Sequence, residues 1–145
     1  MLISEYMDLR NEVNHQLLDY RRNRDRLQRG YNLTESERAA MQQWCDAIAR
    51  AYTYLKRRNP EKARAMIRLF GLHHPVPRYK KTKQRVVHLM NDLNVSESTL
   101  YRWRGEIIQL VLLAAVENRT FSLFDLQGHL SFPDSPEETD TTIRR

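Results

Sequence analysis

At 145 residues the chain has room for one domain, or one domain with an extension, and for a modest core. Its hydrophobic share of 41% and charged share of 29% suit a small helical protein with much surface, and four Gly and five Pro are too few for an all-β chain with many turns. The single cysteine, Cys45, excludes an internal disulfide and a cysteine zinc site, and the net charge of +6 favours an acidic partner.

Residues 2–29 read as a first helix. Tyr6, Leu9, Val13, Leu17 and Tyr20 recur at helical spacing along one stripe. The basic last turns suit the negative end of the helix dipole, and Gly30 is a stop signal. The stripe can pack on the body of the protein or on a second copy. Glu5 and Asp8 interrupt any apolar run that would make a signal peptide, so a cytoplasmic protein is expected.

Thr34 with Glu37 three residues on predicts a capping box at the start of a second helix. Its inner face is Ala40, Met41, Trp44, Ile48, Ala51, Tyr52 and Leu55, with Cys45 as a small core residue, and Lys56, Arg57 and Arg58 end it. Asn59-Pro60 opens a third helix, since Asn caps well and Pro fits a first turn whose amide needs no partner. Ala63, Met66, Ile67 and Phe70 form its inner face, and Gly71 closes it.

The loop that follows, LHHPVPRYKK, is held extended by Pro75 and Pro77. Adjacent His73 and His74 point apart, and His15, His88 and His129 offer no ligand spacing, so no metal and no cofactor are expected.

Lys83 to Gly105, KQRVVHLMNDLNVSESTLYRWRG, is the most informative stretch. It predicts a helix over 83–93, a turn at Asn94-Val95, and a helix capped by Ser96. Leu89, Leu93, Val95, Leu100 and Trp103 would share a small core that fixes the angle between the two helices. Glu97, Ser98, Thr99, Tyr101 and Arg102 would then lie on the face that enters a DNA major groove and reads base edges. Arg78, Lys80, Lys81, Lys83, Arg85, Ser96 and Arg104 are the candidates for phosphate contact. The competing reading is an ordinary helical hairpin with a solvated polar face. Residues 60–105 carry ten Lys/Arg against three Asp/Glu, a net +7, whereas 106–145 carry three against seven, a net −4. A basic block that coincides with a groove-sized helix is the footprint of a nucleic-acid binder.

The second helix of this pair continues as Ile107 to Val116, apolar around most of its circumference, which predicts burial on several sides or a dimer interface. The run is too short to span a bilayer and contains Gln109, so no membrane is expected. Thr120 to Leu130 reads as a short helix or an extended arm, and the Pro, Ser, Thr and acid beyond Ser131 read as a disordered tail. The expected fold is all-α: a small bundle with an N-terminal helix at 1–30, a helical domain at 31–119 carrying a helix-turn-helix at 83–105, and a C-terminal arm and acidic tail at 120–145.

YLKRRNPEKARAMIRLFG and then LNVSESTLYRWRGEIIQL resemble the ArpU/RinA-type phage transcriptional regulators, with Trp44, Ile48 and Tyr54-Leu55 upstream and S-x-S-T-x-Y-R-W-R at Ser96–Arg104. The likeness covers roughly residues 40–113. It implies a prophage-encoded activator of late genes that binds promoter DNA and contacts RNA polymerase, with Ser96, Ser98, Thr99, Tyr101, Arg102 and Arg104 on the DNA-facing helix and Trp103 on its core side. Reading two half-sites would make it a dimer. Two other roles fit the residues: a phage small terminase subunit recognising packaging DNA, and a helical adaptor whose basic face meets an acidic protein. No Gly-rich phosphate loop, paired carboxylates or nucleophile with a base is visible, so an enzyme is not expected.

Overall fold

The computed structural model describes residues 3–30, 32–73 and 82–118. Five helices account for most of them: α1 (Ile3–Arg29), α2 (Glu35–Arg58), α3 (Pro60–Phe70), α4 (Thr82–Leu93) and α5 (Glu97–Glu117). The described residues contain no strand, and the protein is an all-α bundle.

Local chemistry sets the helix ends. Gly30 stops α1 at φ 73°, with its N–H donating to the Arg26 carbonyl at 2.8 Å. The Arg38 guanidinium then donates to the Gly30 carbonyl at 3.0 Å, tying the turn to α2. The capping box at the start of α2 is complete: the Glu37 N–H donates to the Thr34 hydroxyl at 3.1 Å, and the Thr34 N–H donates to the Glu37 carboxylate at 2.9 Å. Hydrogen bonding from Thr34, its backbone N–H first and then its side chain, holds the Glu37 carboxyl below its ordinary pKa. Asn59 works in both directions. Its N–H closes α2 on the Leu55 carbonyl at 2.7 Å, and its side-chain oxygen accepts from the Lys62 N–H at 3.1 Å to open α3. Pro60 follows at the first helical position. Gly71 closes α3 at φ 64°.

α5 runs through the centre of the bundle. It packs most extensively on α2, with α1 against both, and α3 and α4 also pack on it. Ile107, Ile108, Val111, Leu112, Leu113, Ala114, Ala115 and Val116 are all buried, which explains why this segment is apolar around its circumference. Leu17, Ile48, Met66, Leu72, Ile107 and Leu112 are among the largest fully enclosed side chains, each contributing about 1.5–3 kcal/mol on removal from water.

The stripe on α1 packs on the body, with Val13, Leu17 and Tyr20 buried and Tyr6 and Leu9 against them. The buried face of α2 is wider than its simplest periodicity: Cys45 and Ala47 are buried as well as Trp44, Ile48, Ala51 and Leu55, because α1, α3 and α5 all pack on it. Ala40 is exposed, and Met41 and Tyr52 are half-buried. On α3, Ala65 and Leu69 are buried and Ile67 is only half-buried, and the helix packs on α2 as well as on α4 and α5. Among the described residues no helix is long and apolar enough to cross a membrane. The proline loop at 74–81, the arm at 120–130 and the acidic tail lie outside the described residues.

Candidate nucleic-acid interface

α4 and α5 are joined by Asn94, Val95 and Ser96. Asn94 takes φ 57°, the left-handed conformation, and so reverses the chain in a single residue. The Val95 N–H then donates back to the Met90 carbonyl at 3.0 Å, the six-to-one closure that seals a helix C-terminus. Val95 lies against the core in that position. Ser96 caps α5, its hydroxyl accepting from the Thr99 N–H at 3.2 Å. The same oxygen lies 3.0 Å from the Thr99 hydroxyl and 3.2 Å from that of Ser98.

Under this turn Leu89, Leu93, Leu100 and Trp103 are all buried. They lock the first turns of α5 against α4 and leave the opposite face in solvent. Ser96, Glu97, Ser98, Tyr101, Arg102 and Arg104 are exposed, and Thr99 is half-buried. Tyr101, at 53% exposure, is the most exposed large apolar side chain among the described residues.

The cations near this face differ in what they do. Lys83 is exposed in the first turn of α4. Arg102 has Glu106 one turn on at 3.9 Å, with 62% of its side chain exposed. An ion pair that long and that wet is worth little, so the guanidinium is available to another anion. Arg104 donates to the Asn14 side-chain oxygen on α1 at 2.8 Å. Arg85 is turned inward. Its guanidinium donates to the Leu69 carbonyl, and its Nε is buried without a partner. It therefore ties α4 to the last turn of α3, as the Arg68–Asp92 ion pair also does. Arg78, Lys80 and Lys81 lie outside the described residues.

A second polar feature supports α5 from behind. The Tyr6 hydroxyl donates to the Gln109 side-chain oxygen at 2.8 Å, and Arg10 donates to the same oxygen at 3.0 Å and to the Gly105 carbonyl at 3.4 Å. With Arg104–Asn14, these bonds fasten the N-terminal half of α1 along α5. Sequence reasoning missed this seam. Its one visible signal was Gln109, a polar residue inside an apolar run, which needs a partner when half-buried. On the other flank Lys62 of α3 pairs with Glu106 at 2.7 Å, a link that no periodicity announces.

Elsewhere an open cleft of about 340 Å³ between α1 and α2 is lined by Tyr20, Arg24, Leu27 and Cys45 among others. Burial, with the Asp46 carboxylate nearby, pushes the Cys45 thiol up to about 11, which keeps it protonated and unreactive near neutrality. Among the described residues no group of three His, Cys, Asp or Glu side chains is placed to hold a metal ion. No known family model matches the chain, and no curated protein or solved structure does either.

Proposed function

We propose that the protein is a sequence-reading DNA-binding regulator whose reading helix is the N-terminal third of α5. One observation carries this reading. Glu97, Ser98, Tyr101 and Arg102 stand in solvent on a helix start whose angle is fixed by a buried core of Leu89, Leu93, Leu100 and Trp103. A rigid, capped helix end with polar and cationic side chains directed outward is what a major groove accepts. The basic block at 60–105 supplies attraction to phosphate.

In this reading Arg102 is the principal base-reading side chain, and Ser98, Thr99 and Tyr101 lie beside it. Ser96, Lys83 and Arg104 border the groove on the phosphate side. Arg85 acts from within, by holding α4 in place. The resemblance to ArpU/RinA-type regulators agrees with the role and adds phage late-gene promoters as targets, RNA polymerase as a partner and a dimer as the working form.

Selection of preferred sites from a random duplex pool, with the native chain and with Arg102→Ala, tests the proposal. The native chain enriches a defined motif. The variant loses preference at one base position, at a cost of about 1–3 kcal/mol on the preferred site, and keeps its non-specific affinity. No enriched motif from the native chain would overturn sequence reading, and an equal loss on all sequences would make Arg102 a phosphate contact.

A further inference from the structure

The edge where α2 meets α5 carries a line of cations that the reading helix alone does not use. Arg50, Tyr54, Arg57 and Arg58 are spaced i, i+4, i+7 and i+8, so they share one face of α2. That face borders α5, because Arg50 bonds Glu117 at 2.9 Å and Asn118 at 2.9 Å. On α5, Glu106 lies eleven residues before Glu117, three turns along and on the same side. Glu106 receives Lys62 from the first turn of α3 and Arg102 from the reading helix.

The order along this edge is therefore Arg50, then Arg57 and Arg58, then Lys62, then Arg102. The two ends of the line are neutralised in part by Glu117 and Glu106, and the middle is not. Arg57 and Arg58 are exposed, and neither forms an ion pair with a carboxylate among the described residues. Arg58 is instead laid over the Tyr54 ring at 5.1 Å. A guanidinium placed over an aromatic face gains a cation–π attraction that restricts where it sits, and so costs less ordering when it meets a planar bidentate acceptor. The edge spans the fifteen residues of helix that separate Arg102 from Glu117, about 22 Å, with its exposed cations supplied by α2.

We propose that this α2–α5 edge is a phosphate track: Arg57 and Arg58, on the edge that leads toward the base-reading Arg102, hold the backbone of the DNA strand that flanks the groove entered by α5. The proposal rests on the DNA-binding reading above and assigns it a second surface. DNA is favoured over an acidic protein by the continuity of the cations with Arg102.

The test is the salt dependence of binding to random-sequence duplex for the native chain, for Arg57→Gln/Arg58→Gln, and for Arg21→Gln/Arg26→Gln, which removes two exposed cations from α1. Each phosphate contact contributes about 0.9 to the slope of log affinity against log salt. The Arg57/Arg58 pair is expected to lower the slope by about 1.8 on all sequences, with the selected motif unchanged and the circular dichroism spectrum native. The Arg21/Arg26 pair leaves the slope within error, and Arg57→Lys/Arg58→Lys recovers most of it. An unchanged slope in Arg57→Gln/Arg58→Gln, or an equal fall in the α1 control, would overturn the track while leaving DNA binding intact. Absence of binding by the native chain overturns both readings, and binding of an acidic protein at this edge without DNA overturns the track.

Discussion

Asn94 carries a strained but necessary conformation. A left-handed residue is needed to turn the chain between α4 and α5, and Asn tolerates it better than any residue except Gly. Asn94→Gly is expected to hold or raise the melting midpoint, whereas Asn94→Val, which must place a branched side chain at φ 57°, loses about 1–3 kcal/mol. Denaturant melts of the two variants check this, and equal stability of all three chains would show that the turn is not the constraint it is taken to be. Cys45 makes a second test at this scale. Its native thiol, pushed up to about 11, stays protonated where an unfolded thiol ionises. A raised folded value means that its stabilising contribution is present below the ordinary thiol pKa and is lost as pH rises from there toward about 11. Thiol labelling at pH 8 is expected to be slow in the native protein and fast in denaturant, and comparable rates would contradict the burial.

Among the elements, the boundaries were the most legible part of the sequence. Thr34 with Glu37, Asn59-Pro60, Gly71 and Ser96 each announce a cap by chemistry local to a few residues, and each is found as a cap. The interior of α5 was legible because a helix apolar on all sides has few alternatives to burial. What the sequence left open was which neighbour each face meets. The α1 stripe fitted the body or a second copy, and the choice rests on Tyr6, Arg10 and Asn14 finding Gln109, Gly105 and Arg104 about ninety or more positions away. Arg85 shows the limit for the site. Its charge and place beside Lys83 suggested phosphate, but the Leu69 carbonyl lies within its reach, and the backbone takes it. The α1–α5 seam has its own test. Arg10→Leu removes the Arg10 donations to Gln109 and Gly105, leaving Tyr6 on Gln109, and is expected to cost about 1–3 kcal/mol. Amide exchange should speed up in residues 3–14 and stay slow in the middle of α2 and α5. Unchanged exchange in α1 would mean that its apolar stripe alone holds it.

At the scale of the whole molecule, charge and shape point the same way. The bundle buries α5 along most of its length and releases only its first turns, and these close the stretch 60–105, which carries a net +7. Exposed cations act over about 8 Å at physiological ionic strength, so the contributions of Lys83, Arg102 and the Arg57–Arg58 edge are felt by a partner within contact range of that surface. The acidic residues beyond 106 contrast with this block and add no attraction for nucleic acid. The central claim is that this surface binds DNA, and its most direct test is fluorescence anisotropy of a random-sequence duplex titrated with the native chain between 50 and 200 mM salt. Binding is expected at low salt and should weaken steeply, with a slope of several units set by about 0.9 for each phosphate engaged. No binding at 50 mM salt, or binding indifferent to salt, would contradict the account and leave the exposed start of α5 as a surface for a protein.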